Sequence, residues 1–147
     1  MIVKHQIIQF IVMFLVGISL NPMNLLVFRV KDLYLSLTLV YGGLIMASNM
    51  IWAHELVHYF VHGHINLKII LLGISLSIFF TYIVRKQYLV NDKQWLKRMI
   101  SHHSTALTTS HKILNKTNNN KVQKLSNDII DTQEREITLM KKLIKNN

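Results

Sequence analysis

The chain has 147 residues, half of them hydrophobic, with no cysteine and a formal net charge of +10 at pH 7. This length suffices for one ordinary domain, and the lack of cysteine excludes disulfides, thiolate metal sites and a cysteine nucleophile. Residues 85–147 carry 13 of the 17 Lys and Arg, whereas residues 1–84 hold only six charged residues in all. A water-soluble domain rarely leaves 84 residues with so few charges. We therefore predict a membrane domain in residues 1–85 and a polar domain in residues 86–147.

Three apolar stretches follow one another in the first part, at about residues 6–21, 33–53 and 68–85. A helix needs about 20 residues to cross roughly 30 Å of hydrocarbon. The pattern predicts three transmembrane helices in a lipid bilayer, with residues 22–32 as a connector at the headgroups. A cleaved signal peptide is the alternative for the first stretch, although no small-x-small cleavage site follows it.

Three spans would place the two chain ends on opposite sides of the membrane. Lys4 and Lys68 would share one side, and Arg29, Lys31 and the basic tail would share the other. The positive-inside rule then predicts a multi-pass protein whose C-terminal domain is cytoplasmic.

A column of histidines follows the second apolar stretch, because its helix is expected to continue past residue 53. His54, His58 and His62 are spaced i, i+4 and i+8, which places them on one helix face, and Met50 lies one turn earlier. Imidazoles with a thioether suit copper, and imidazoles alone suit zinc. The alternative is that these histidines are simply hydrated at the membrane interface.

The segment His54-Glu55-Leu56-Val57-His58 also matches the zinc-protease pattern H-E-x-x-H, in which the two histidines hold zinc and the glutamate activates water. The pattern fixes only three positions, and no obvious substrate cleft or third ligand in a distinct domain follows, although His62 or His64 could serve as that ligand. A membrane zinc protease is therefore an alternative, and we do not expect an enzyme.

Two amphipathic helices are predicted in the polar domain. The first begins at Asn91 or Asp92, where either side chain can cap it, and residues 117–120 read as a tight turn before the second. Helices joined by so short a turn pack antiparallel. The apolar positions that recur at helical spacing are Trp95, Leu96, Met99, Ile100, Ala106, Leu107, Ile113 and Leu114, then Val122, Leu125, Ile129, Ile130, Ile137, Met140, Leu143 and Ile144.

Antiparallel pairing brings metal-binding side chains together between these helices. Met99 and His103 would lie near Glu136 and Met140, and thioether, imidazole and carboxylate donors make a plausible site for copper, or for zinc. The alternative is that the two methionines only fill the core.

Two segments of the predicted hairpin resemble the signature of a known family. They are Met99-Ile100-Ser101-His102-His103 and Gln133-Glu134-Arg135-Glu136-Ile137-Thr138-Leu139-Met140. Together with their separation and the intervening turn, they resemble the domain of unknown function 305 family, in a form with N-terminal membrane-spanning helices. The resemblance implies a ferritin-like helical fold and, for some members, copper binding.

Carried over by position, the resemblance implies a ligand set in which Gln133 is a supporting residue. Ser101 stands where the family has proline, and Thr109 stands where it often has methionine, which weakens the case for copper(I). His111 is a possible substitute for that missing donor. The implied ligands are Met99, His102, His103, Glu136 and Met140.

A hairpin of this size buries too little apolar surface to be stable alone. We predict that hairpins pair into a four-helix bundle, so that the protein is a homo-oligomer.

The sequence thus predicts an all-α, membrane-anchored metal-binding protein that acts in copper storage, delivery or tolerance. A structural or oligomerisation protein is the second class, and the zinc protease is the third. No specific nucleic-acid partner is expected, because the basic residues are scattered without aromatic interleaving and suit a surface beside anionic headgroups.

Overall fold

The computed structural model describes residues 2–146, with side chains from residue 4 onward. The described residues form α-helices and one 3₁₀ turn, and no strand occurs among them, so the all-α prediction is confirmed. The helices are α1 (Ile2–Ser19), α2 (Pro22–Leu25), α3 (Leu37–His62), α4 (Leu67–Arg85), α5 (Asp92–Leu114) and α6 (Asn120–Asn146), and the 3₁₀ turn is Val30–Asp32.

The chain divides into two compact units. The first unit contains α1, α3 and α4, with Leu37–Leu89 continuous within it. The second unit joins Asn21–Ser36 to the region from Val90 onward, and so contains α2, the 3₁₀ turn, α5 and α6. This differs from the division at residue 85 drawn from the charge pattern, because the connector between α1 and α3 packs with the hairpin.

In the first unit, α3 packs against both α1 and α4 through glycines. A Cβ on Gly17 would lie 2.9 Å from the Cα of Gly43, and one on Gly73 would lie 2.9 Å from the backbone nitrogen of Trp52. Small residues allow helix backbones to approach closely, as is common between membrane helices. Helix α3 ends where Gly63 takes a left-handed conformation, with φ of +72°.

Two stretches of the described chain are long and apolar enough to cross a membrane, Lys4–Leu25 and Leu67–Arg85. In the most apolar part of each stretch, only 6% is buried inside the protein. These stretches are therefore unlike the core helix of a soluble protein, which buries most of its apolar surface.

The prediction of three spans is corrected to two candidate spans. Helix α3 is long enough, but it begins at Leu37 rather than at residue 33, and its sequence includes Asn49, Glu55 and three histidines. These polar groups lower its apolar character, while Leu33 and its neighbours up to Ser36 belong to the second unit.

The second unit is built on an antiparallel hairpin. The side chain of Asn91 caps α5 by accepting a hydrogen bond from the backbone of Gln94 at 3.0 Å, and a short turn ends where α6 begins at Asn120. Residues from the start of α5 and the end of α6 share one core, as antiparallel pairing requires. That core contains Leu96, Ile100, Leu107, Ile137 and Met140.

The connector is fastened to the hairpin by a buried carboxylate. Asp32 is fully buried; it accepts a hydrogen bond from the Ser104 hydroxyl at 3.0 Å and pairs with the ammonium of Lys141. Arg29 pairs with Glu134 in the same unit, and this hydrogen bond raises the pKa of Arg29. The connector is thus part of the folded second unit, although it was predicted only as a segment at the headgroups.

Candidate functional site

The hairpin brings together one pair from the predicted ligand set. The Nδ1 atom of His103 on α5 lies 3.0 Å from the Oε2 atom of Glu136 on α6. The side chain of His103 is 13% exposed, and that of Glu136 is 47% exposed. The contact has ion-pair distance but not hydrogen-bond direction, so the buried Nδ1 has no hydrogen-bond partner.

The environment of His103 favours the neutral imidazole. Burial lowers the pKa of His103, the carboxylate of Glu136 opposes this shift, and the neighbouring His102 adds to it. A metal ion binds the neutral form of imidazole, because a proton and a metal compete for the same lone pair. The site is therefore held in the form that can accept a metal.

The two methionines lie in or beside the hydrophobic core. Met140 is buried within the core cluster, and Met99 is partly buried against it. His102 is exposed, with its ring centroid 5.9 Å from that of His103. Core packing thus accounts for Met140 without a ligand role, which leaves His103 and Glu136 as the pair joined by direct contact.

The supporting residues differ in their placement. Gln133 lies on α6 three residues before Glu136 and is half-buried. His111 stacks on the ring of Phe28 with centroids 4.9 Å apart. It also lies eight residues from His103, or about 12 Å along a helix axis, so the structure does not bring it to the predicted site.

Within residues 2–146, no group of three or more His, Asp and Glu side chains is arranged to hold a metal ion. Among the described residues, the nitrogen and oxygen donors of one chain therefore do not form a complete metal site. The predicted set would need a thioether, water or a second copy of the chain.

A second cluster surrounds an open cavity of about 690 Å³ in the first unit. The start of α1, the last turns of α3 and the α3–α4 turn contribute its walls. The lining residues are Lys4, His5, Gln6, Ile8, His54, Glu55, His58, His64, Ile65 and Asn66.

The glutamate of the H-E-x-x-H segment is buried and hydrogen-bonded. Glu55 is 6% exposed; it accepts a hydrogen bond from the side-chain amide of Gln6 at 3.0 Å and one from the backbone of Asn66 at 3.4 Å. A protease of this pattern needs the carboxylate free to activate a metal-bound water. Glu55 instead ties α1 and the α3–α4 turn to α3.

The histidine column predicted from sequence spacing lines the cavity only in part. His54 and His58 line the cavity, but the described lining includes neither His62 nor Met50. His5 and His64 line it instead. The sequence indicated His64 only as a possible third ligand of the zinc-protease pattern and did not single out His5. Only tertiary packing could identify His5, because it belongs to another helix.

Comparison with known proteins agrees with the hairpin motifs. The chain is 32% identical over 127 residues to the uncharacterized protein L153 of Acanthamoeba polyphaga mimivirus, covering 85% of this chain and 82% of that protein. No solved structure matches. The model of the family described as "Domain of unknown function (DUF305)" matches residues 85–144, which include both signature segments. The resemblance drawn from those segments is confirmed, and the chain belongs to the DUF305 family.

Proposed function

We propose that this protein is a membrane-anchored metal-binding protein whose hairpin holds copper, with zinc as the alternative ion. The observation that carries the proposal is the contact of His103 with Glu136 at 3.0 Å between α5 and α6. An imidazole that is largely buried, kept neutral and left without a hydrogen bond has a lone pair or a proton to share with a ligand. The role in this proposal is storage, delivery or tolerance of the ion.

The donor types favour copper. Imidazole and carboxylate bind copper(II) and zinc, and the thioethers of Met99 and Met140 lie on the same stretches of helix as His103 and Glu136. A small rearrangement of the core would be needed for Met140 to reach an ion, so His103 and Glu136 are the primary ligands in this proposal. His102 is an exposed additional donor.

A second copy of the chain would supply the missing donors. Leu125, Leu139 and Leu143 are exposed on α6, and their spacing of 14 and then 4 residues places them along one seam, as in paired helices. Glu136 falls on the same seam, three residues before Leu139. Two hairpins joined along this seam would form a four-helix bundle and bring two copies of Glu136 close together.

Membrane attachment is the second part of the proposal. Helices α1 and α4 bury few of their apolar residues within the protein, and lipid would cover the exposed side chains. Helix α3 packs along both of them, so it would enter the bilayer with the side chains of Ser48 and Glu55 buried among its neighbours. This multi-pass arrangement, with the basic second unit on the cytoplasmic side, agrees with the positive-inside rule.

Metal analysis of the purified full chain in mild detergent tests the hairpin site. We expect the wild-type protein to retain copper or zinc after dialysis. The variants His103→Ala and Glu136→Gln should each lower its affinity at least about tenfold. His111→Ala is the matched control, because this histidine is on the same helix but stacks on Phe28. Equal metal binding by His103→Ala and His111→Ala would refute the hairpin site.

A structural role is the second candidate, favoured by the burial of Met140 in the core. In that case the hairpin only oligomerises, and His103→Ala would leave both oligomer size and biological activity unchanged. Light scattering of the detergent-solubilised variant, beside the metal analysis, distinguishes the two candidates.

A further inference from the structure

We propose that the cavity of the first unit is a second metal site, in which His5, His54 and His58 bind a divalent transition-metal ion such as zinc or copper(II). The site differs from the histidine column expected from sequence spacing. His5 of α1 replaces His62 and Met50, so the site forms only when α1 packs against the end of α3.

The first observation is the spacing of two imidazoles. The ring centroids of His5 and His54 lie 5.5 Å apart. Two imidazoles bound to one tetrahedral ion at metal–nitrogen distances of about 2.0 Å have ring centroids roughly 5 Å apart. The two rings are therefore nearly at the separation that a shared ion requires, although they come from different helices.

The second observation is an unpaired buried nitrogen. Nδ1 of His54 is buried and has no hydrogen-bond partner in the described structure. Buried polar atoms are nearly always paired, and each exception calls for an explanation such as an ion. A metal bound by His54 supplies a partner for the ring.

The third observation is the orientation of His58. Its Nδ1 lies 3.2 Å from the backbone oxygen of His64, and a carbonyl oxygen can only accept a hydrogen bond. Nδ1 therefore carries the proton, which leaves the lone pair on Nε2 free. Histidine ligands usually donate their other ring nitrogen to a carbonyl or carboxylate in this way.

Charge also favours a cation. Glu55 is buried and lines the same cavity as these imidazoles, and its contacts with Gln6 and Asn66 hold it in place. Lys4 also lines the cavity, but it is exposed to solvent, so its charge is screened more than that of Glu55.

Among the described residues, no three His, Asp or Glu side chains are already arranged to hold an ion, so the proposed site requires His58 to turn toward the cavity. The cavity is open, so water can occupy remaining positions while His58 turns its free nitrogen inward. A site with two or three imidazoles and bound water exchanges its ion more readily than a closed four-ligand site, in the manner of open zinc sites. This suits uptake or transfer of an ion.

The test uses the full chain in mild detergent with the hairpin site disabled by His103→Ala and Glu136→Gln, so that failure of one site is distinguishable from failure of the other. Zinc affinity is measured by competition with a chromophoric chelator, and cobalt(II) reports ligand geometry through its visible spectrum. We expect this background to bind one zinc ion per chain. Adding His54→Ala or His5→Ala should weaken binding at least about tenfold.

His111→Ala is the control for loss of an imidazole outside the site, because His111 belongs to the second unit, stacks on Phe28 and is not among the residues that line the cavity. We expect its affinity to stay within about twofold of the background. The exposed His5 allows a decisive variant even if His54→Ala disturbs the packing of α3. Lack of zinc binding in the background, or equal losses in His5→Ala and His111→Ala, would overturn the proposal.

Discussion

At the scale of single residues, the connector and the hairpin are joined by Asp32, which is buried in full and paired with Lys141. Ser104 donates to the same carboxylate, and the Ser101 hydroxyl donates to the backbone oxygen of Asp32 at 2.9 Å. A buried carboxylate is tolerated only when it is paired and hydrogen-bonded. This cluster therefore fixes where the connector lies on the second unit.

Lys141→Ala should destabilise the protein by about 3 kcal/mol, because it leaves the Asp32 charge buried without its cation. The adjacent Lys142 is exposed, so Lys142→Ala should change stability by no more than about 0.5 kcal/mol. Thermal unfolding of the full chain in detergent, followed by helical circular dichroism, measures both. Combining Lys141→Ala with Asp32→Asn should restore part of the loss, and a double variant less stable than Lys141→Ala would contradict the ion pair.

Sequence reasoning at this scale succeeded where partners follow from helical spacing. His103 and Glu136 could be paired because two amphipathic helices and a short turn fix their register. Asp32 and His5 could not be paired in the same way. Their partners are 109 and 49 residues away, on elements whose packing no local pattern encodes.

At the scale of elements, the contact between α1 and α3 depends on the lack of a side chain at Gly43. A Cβ there would lie 2.6 Å from the Cγ2 of Ile18 and 3.2 Å from the backbone oxygen of Phe14. Gly42, its neighbour in sequence, has no atom within 4 Å of such a Cβ. The two glycines thus offer a matched pair for testing the helix contact.

Gly43→Ala should destabilise the first unit by about 2 kcal/mol, since the helices must move apart or distort to admit the methyl group. Gly42→Ala should stabilise α3 by about 0.5 kcal/mol, because alanine loses less conformational freedom in a helix. Thermal midpoints of the two variants in the same detergent provide the comparison. Similar midpoints for the two would show that α1 does not rest on Gly43.

The positions of the long helices could largely be predicted from the sequence. The start of α5 at Asp92, the polar turn before α6 and the continuation of α3 through His62 all agree with the expected pattern. The short α2 and the 3₁₀ turn were missed. Neither is long enough to show a period. The side chain of Asn21 caps α2, and both elements contact α5.

At the scale of the whole molecule, the number of spans decides on which sides of a membrane the two ends lie. Two spans by α1 and α4 alone would leave both ends on one side, whereas inclusion of α3 places them on opposite sides. Apolar composition identifies α1 and α4 as candidate spans but not α3, because the polar groups of α3 lower its apolar character.

Cysteine labelling tests this topology, because the chain has no native cysteine. In sealed, uniformly oriented vesicles, Lys4→Cys and Lys124→Cys should differ in their reaction with a membrane-impermeant maleimide, with only one labelled. Permeabilised vesicles, in which both positions should react, are the control. Labelling of both positions in sealed vesicles would exclude three spans.

The second unit is assembled from two separated stretches of sequence, with the whole of α3 and α4 between them. During translation, Asp32 leaves the ribosome 109 residues before Lys141. The carboxylate of Asp32 therefore lacks its ion-pair partner while the intervening helices are made. A chain that stops before Lys141 would contain every apolar helix and yet be unable to close its second unit. The second unit therefore gains the cation that pairs with Asp32 only after most of the last helix has been made.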